Sequence, residues 1–320
     1  MDDFANGFVA LARIAPKGFF MTSSTQPFGE MDPIPNSDLP PLIINACLTG
    51  MVPHKKENLF LPVTSEEIIE DACTVIEAGA SILHLHARDP QGEAAWEAAA
   101  YAPIIQGIRA HYPDVIIGVT TSGRKFADFA KRAAVLDLRN GCKPDMASLT
   151  LGSMNFAREA AVNSPETIQK LATCMLDRGI IPELEVFGPG MLNYAFYLVK
   201  KKILPERCYV NFILGSLGAS PARVFDLANL VRDLPHGWIW AAAGLGRYQL
   251  SMNTTAIVMG GHVRVGLEDN LFYDIQRKTV ASNKMLVDRL VRVAGELGRP
   301  IATPGQTRKM LGLESVRKKN

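Results

Sequence analysis

His84 and His86 close the apolar run Ser81-Ile82-Leu83-His84-Leu85-His86-Ala87 with one residue between them. Successive side chains of an extended strand alternate between faces, so both imidazoles project to one side. Two neutral nitrogen ligands presented together suit zinc and related divalent ions, although two satisfied polar histidines at a strand end would read the same way. A second run, His262-Val263-Arg264-Val265-Gly266-Leu267-Glu268-Asp269, ends in carboxylates, and Glu268 is the expected third ligand. Three protein ligands leave coordination positions open, as a catalytic ion requires. Such an ion polarises a carbonyl or activates water. Asp269 and Arg264 stand beside it in sequence; their bland alternatives are a cap on the following segment and an ion pair at the far end of the strand. Arg264 and Glu268 differ by an even number, and so do Glu183 and Glu185. Strand alternation therefore favours an interior network of Arg264 with one of the latter two, because a buried charge is costly unless paired.

These residues need a scaffold that brings separate strands to one place. After an irregular leader, apolar runs at 42–48, 81–87, 115–121, 146–152, 181–187, 208–215, 238–244 and 262–268 alternate with amphipathic stretches at 64–79, 98–112, 125–139, 165–179, 191–202, 221–234, 249–259 and 281–297. Eight βα units predict an α/β fold, a (β/α)8 TIM barrel over residues 41–320 with an N-terminal extension over 1–40. Thr64-Ser65-Glu66-Glu67 and Ser164-Pro165-Glu166-Thr167 read as helix starts, and Gly79, Gly179 and Gly298 as helix ends. A doubly wound sheet would carry a glycine-rich dinucleotide loop; Gly244-Leu245-Gly246-Arg247-Tyr248-Gln249 lacks its third glycine. In a barrel the site lies at the carboxyl ends of the strands. That rule adds Thr121, Ser122 and Gly123 after the third strand and Thr150 at the end of the fourth, small and hydroxyl groups that could grip a carboxylate. Each alone is more ordinary as a turn or cap. The loop Gly215-Ser216-Leu217-Gly218-Ala219-Ser220 could hold an anion, although glycines there also serve steric ends.

Composition removes other classes. With 34 basic and 32 acidic residues the net charge is +2, which provides no field for nucleic acid or an anionic membrane. No window reaches the roughly 18 apolar residues of a membrane span, and Met1-Asp2-Asp3 does not begin a signal peptide. The expectation is a soluble, cytoplasmic protein. Cys47, Cys73, Cys142, Cys174 and Cys208 are odd in number and form no C-x-x-C pair, so they read as buried small residues, with Cys47 at a strand end the one to watch.

Taken together, Asn45-Ala46-Cys47-Leu48-Thr49-Gly50, the His84/His86 strand, Thr150 with Asn155-Phe156, Pro182-Glu183-Leu184-Glu185-Val186-Phe187 and Arg264-Val265-Gly266-Leu267-Glu268-Asp269-Asn270 resemble the β-keto acid cleavage enzymes over roughly residues 41 to 313. The resemblance implies a zinc-dependent barrel, oligomeric and in the family's manner tetrameric, that condenses a β-keto acid with acetyl-CoA as cosubstrate to give acetoacetate and a new acyl-CoA. It implies that His84, His86 and Glu268 hold the metal, that Asp269 removes the proton between carbonyl and carboxylate, and that Arg264 supports that base. Thr150, Glu185 and the Thr121-Ser122-Gly123 turn match positions around the substrate, with Thr121 and Ser122 interchangeable by one residue. The aminohexanoate-cleaving type has an acidic residue where this chain has Val52, two positions after Gly50. With His54, Lys55, Lys56 and Arg124 nearby in sequence, a neutral or anionic substrate side chain is expected. The rival reading is a metal-dependent aldolase or hydrolase on the same barrel that works without CoA; a non-catalytic scaffold would have no need of an open metal site.

Overall fold

The computed structural model describes residues 39–313, which belong to the second of the two units into which the chain divides, Met1–Pro35 and Asn36–Asn320. Apart from its last two residues, the expected leader over 1–40 lies outside the described residues. Eight parallel strands close a barrel in sequential order: β1 (Ile44–Cys47), β2 (Ile82–Leu85), β3 (Ile116–Val119), β4 (Met146–Thr150), β5 (Ile181–Val186), β6 (Tyr209–Leu214), β7 (Ile239–Gly244) and β8 (His262–Val265), which pairs back onto β1. Each falls inside its expected run. Strands buried on both faces carry nearly continuous apolar sequence, which is why the runs were visible.

Helices α1 (Ser65–Ala78), α2 (Ala98–His111), α3 (Phe129–Ala133), α4 (Pro165–Asp177), α5 (Pro189–Lys200), α6 (Val224–Arg232), α7 (Gln249–Val258) and α8 (Asn283–Glu296) follow the strands in turn. Thr64 and Glu67 form a capping box at α1, and the Ser164 hydroxyl accepts from the Thr167 amide at α4, so two starts follow the cap chemistry in the sequence. The third helix is much shorter than the expected 125–139. Asp128 caps it by accepting from the Lys131 amide, Arg124 and Lys125 are drawn instead to Glu159, and residues Ala134–Asp137 tighten into a 3-10 turn. A ninth helix, α9 (Pro304–Leu311), has no counterpart in the sequence reading; it opens with a Thr303–Gln306 capping box and stops at left-handed Gly312. Its Met310 and Leu311 pack under a barrel-floor cluster of Ile43, Ile82, Ile116, Met146 and Tyr209. The floor is thereby sealed with apolar groups. At the opposite end two short ribbons, Ala87–Arg88 with Ala94–Ala95 and Met154–Asn155 with Ala160–Ala161, follow β2 and β4 and build the walls of the mouth. No helix among the described residues is long and apolar enough to cross a membrane. All five cysteines are free.

Candidate active site

His84 is the third residue of β2 and His86 follows its last, and their ring centroids lie 5.2 Å apart on one side, as alternation requires. Glu268 reaches them by a different route from the one expected. Strand β8 stops at Val265, and Gly266 at φ +155 turns the chain across the mouth; a Cβ there would collide with the Cys47 carbonyl. The Glu268 amide then donates to Cys47 O at 3.2 Å, and the Asp269 and Asn270 amides fold back onto Gly266 O. This turn sets Glu268 and Asp269 on the same side of the mouth, where strand alternation would have separated them.

The result is a candidate metal centre. Ligand atoms of His84, His86 and Glu268 all lie within 4.8 Å of one another. Glu268 Oε2 stands 3.9 Å from His84 Nε2, and Glu268 Oε1 stands 3.4 Å from His86 Nε2. Both separations are within reach of a shared ion bound at about 2 Å from each atom. His86 Nε2 and Glu268 Oε2 are buried without a hydrogen bond. Orphaned polar atoms of this kind are rare in a folded interior and point to a missing partner. Behind the pair, His84 Nδ1 is 2.8 Å from Glu183 Oε2, which leaves Nε2 aimed at the mouth. Glu183 Oε1 accepts from Asn45 and Asn211 amides, each at 2.6 Å. Burial alone would raise Glu183, but His84, Arg264 and these donors hold its carboxyl down at about 2.

Arg264, 2% exposed, gathers the other carboxylates: Nη1 donates to Glu185 Oε1 at 3.0 Å, Nη2 to Glu268 Oε1 at 2.8 Å and Nε to Asp269 Oδ2 at 3.1 Å. It sits at the mouth of the barrel with Glu268 and Asp269 and not in an ion pair at the barrel floor. Burial pushes the Asp269 carboxyl up, Arg264 opposes that, the Glu268 charge adds to it, and the net direction is upward. Three carboxylates, Glu185, Glu268 and Asp269, thus share one guanidinium, while a fourth, Glu183, is held by His84. The deficit of positive charge is what a divalent cation would supply, so the donor set fits one.

The sequence reading left open which strand-five glutamate meets Arg264, and register answers it. Ser148 lies beside Glu183 and Thr150 beside Glu185, so Glu183 is one layer deeper, against His84, and Glu185 is at the level of Arg264. Thr150 Oγ1 donates to Glu185 Oε2 at 2.6 Å. A cavity of about 270 Å³ joins Thr150, Ser122 and Glu185 to the histidines, Glu268 and Asp269. Thr121 and Gly123 stand behind its wall: Thr121 Oγ1 donates to Ser148 O at 2.6 Å, and Gly123 backs onto the Arg132 guanidinium. Of the four basic residues expected near the substrate, Arg124 lines the cavity, with Nε on Glu159 at 2.7 Å, while Lys55 is bound to Glu67. Val52 lines the cavity beside Met51 and Pro53. Sequence reasoning missed Arg132 and Asn163, which no motif marks, and the pairing of Glu183 with His84.

Residues 41–313 match the family model described as beta-keto acid cleavage enzyme. The chain belongs to the β-keto acid cleavage enzyme family. Among its relatives, a 3-keto-5-aminohexanoate cleavage enzyme of Fusobacterium nucleatum is 40% identical over 85% of this chain and 98% of the relative. A 3-oxoadipate:acetyl-CoA acetyltransferase of Cupriavidus necator is 37% identical over 86% of this chain and 96% of that enzyme. Among solved structures, a ternary complex of ObcA with a C4-CoA adduct and oxalate superposes with a TM-score of 0.71 at 21% identity, covering 79% of this chain and 68% of that one, and shares the barrel fold. As a β-keto acid cleavage enzyme, the chain carries the resemblance noted in its sequence across the whole barrel.

Proposed function

We propose that the enzyme transfers the acetyl group of acetyl-CoA to the carboxylate-bearing carbon of a β-keto acid, releasing acetoacetate and a new acyl-CoA, with zinc or a similar divalent ion held by His84, His86 and Glu268. The observation that carries this reading is the convergence of three ligand atoms beside a buried carboxylate base in one cavity. The acetyltransferase named among the relatives supports the acetyl-CoA half.

The carbon between ketone and carboxylate is a weak acid, and its ionisation is the first demand on the site. A bound ion would polarise the ketone carbonyl and stabilise the negative charge that develops there. Asp269 takes the proton, and Arg264 Nε holds it in direction at 3.1 Å. The carbanion attacks the acetyl thioester carbon and the CoA thiolate leaves. That thiolate attacks the original ketone, and the bond from ketone carbon to carboxylate-bearing carbon breaks. The released electron pair recovers the proton from Asp269, which yields acetoacetate. Ser122 and Thr150 line the cavity and are assigned to the substrate, with Glu185 orienting Thr150.

For the substrate's other end, Val52, Met51 and Pro53 offer no counter-ion to an ammonium, which supports a neutral or anionic side chain. The test follows free CoA, acetoacetate and acyl-CoA across β-keto acids of matched length that end in methyl, carboxylate or ammonium. Acetoacetate and acyl-CoA are expected in equal amounts, only with acetyl-CoA present, and with the ammonium acid slowest. Cleavage at the same rate without acetyl-CoA would establish the aldolase or hydrolase reading instead.

Ion binding has its own pH signature. Burial opposes a charge on His84, but the Glu183 and Glu268 carboxylates outweigh it and carry its pKa to about 9 in the ion-free protein. The ion must displace that proton, so affinity should climb with pH up to about 9, by about tenfold per unit for one proton. Glu183→Gln removes the group that orients His84, and zinc affinity is expected to fall by about 10–100-fold. In that variant the climb should also stop at a lower pH, because the carboxylate that does most to hold the competing proton on His84 is gone. Zinc titrations by calorimetry at several pH values check both; an unchanged affinity would remove Glu183 from the centre.

A further inference from the structure

Arg132 is 4% exposed and makes no ion pair among the described residues. Its donors all end on neutral acceptors: Nε on Thr121 O at 2.8 Å, Nη2 on Asn163 Oδ1 at 2.7 Å and Nη1 on Val162 O at 3.5 Å. Burial lowers its pKa to about 10 while the charge of Glu185 works the other way, so it remains a cation at neutral pH. Glu185, however, is already bound to Arg264 and Thr150. A buried charge is ordinarily paired, and this one is surrounded only by amide oxygens.

Its position gives the excess charge a use. A Cβ added at Gly123 would come within 2.7 Å of Arg132 Nη1 and 3.0 Å of its Cζ, so the guanidinium lies directly behind the turn. Ser122 and Arg124 line the cavity on the front of the same turn. Asn163, the acceptor for Nη2, also lines the cavity, and its Nδ2 donates to Gly152 O at 3.0 Å. Arg132 therefore ties the turn after β3 to the turn after β4, one backbone layer away from the space where a substrate would lie. The neighbouring cation, Arg124, is matched by Glu159 and stacked on Phe156 with its Cζ 3.9 Å from the ring centroid.

We propose that Arg132 is a positioning residue for the substrate's carboxylate: its unmatched charge behind the Ser122–Gly123 turn draws an anion to the front of that turn, where Ser122 lines the cavity. This rests on the β-keto acid reading above. A charge shielded by one layer of backbone and little water acts across the turn with small loss, and the absence of a side chain at Gly123 keeps that layer thin.

Acetoacetate and its neutral analogue methyl acetoacetate, used as competitive ligands of the holoenzyme, separate this role from that of a mere clamp. In Arg132→Gln, acetoacetate affinity is expected to fall by about tenfold or more and that of the ester by less than about threefold. KM for the β-keto acid should rise more than kcat falls. Arg132→Lys keeps the charge and should retain the preference for the acid over the ester, and it carries the test if the glutamine variant does not fold. Equal weakening of both ligands in Arg132→Gln, or loss of the preference in Arg132→Lys, would overturn the proposal. A wild-type enzyme that prefers acetoacetate over its ester yet transfers no acetyl group would fail the functional reading alone.

Discussion

Replacing Asp269 by Asn is expected to lower kcat by about 10²–10⁴-fold while zinc content stays near that of the wild type. The amide is the same size as the carboxylate and can still accept from Arg264 Nε, which now reaches Asp269 Oδ2 at 3.1 Å, so the turn over 266–269 keeps its shape. What is lost is the ability to hold a proton taken from carbon. The three ligands are other residues, so the substitution removes no donor to the ion. Burial and the Glu268 carboxylate raise Asp269 above the ordinary carboxylate range against the pull of Arg264, which makes it a stronger base than a surface aspartate. The sign of the pH dependence follows: the deprotonated form is required, so kcat/KM of the wild type should fall as pH falls and Asp269 takes up its proton. The sharpest measurement is exchange of the substrate's methylene protons with deuterated water in the absence of acetyl-CoA, since it isolates the first step. Exchange should be lost in Asp269→Asn together with turnover. Loss of zinc in the same variant, or exchange at the wild-type rate, would contradict the assignment.

Much of this site was legible because period-two alternation and the rule that a barrel works at its carboxyl ends act together. His84 and His86 meet for the first reason, and Thr150, Ser122 and Glu268 share one cavity for the second. Alternation failed where a strand ended early. It held Arg264 and Glu268 together and would have sent Asp269 to the other face, but Gly266 ends β8 and returns both carboxylates to Arg264. The Glu183-Leu184-Glu185 spacing announced two interior carboxylates without their depths, since depth depends on how β5 registers against β4. Arg132 was illegible for a different reason. In sequence it is one of several basic residues in a stretch that looks like a solvated helix face, and only the fold brings Thr121, Val162 and Asn163 around it. Helix α9 escaped because eight βα units already completed the barrel, and nothing in periodicity asks for a floor.

Arg264→Met should both unfold the protein more easily and abolish activity, and the two effects have one cause. Arg264 is buried and bonded to Glu185, Glu268 and Asp269, so an apolar side chain of similar length leaves three carboxylates around it without their cation. Breaking a buried pair from one side costs about 3–5 kcal/mol, because the orphaned charge remains. For a chain of this size that corresponds to a fall in Tm on the order of 10 °C. The carboxylates can escape part of the penalty by taking up protons, and Asp269, already raised, is the first to do so. A protonated Asp269 is no base, so turnover disappears even in molecules that remain folded. Stability in the variant should improve more steeply than that of the wild type as pH falls from neutrality, since protonation removes the charges that Arg264 no longer balances. Saturating zinc should also recover part of the Tm loss by restoring positive charge beside Glu268. Arg264→Lys keeps one charge but cannot span three carboxylates with a rigid fork, so its Tm should fall less than that of Arg264→Met while activity still collapses. Thermal unfolding of the three proteins with and without zinc, at neutral and mildly acidic pH, separates these outcomes. A methionine variant as stable as the wild type at neutral pH would mean that the carboxylates find their compensation elsewhere.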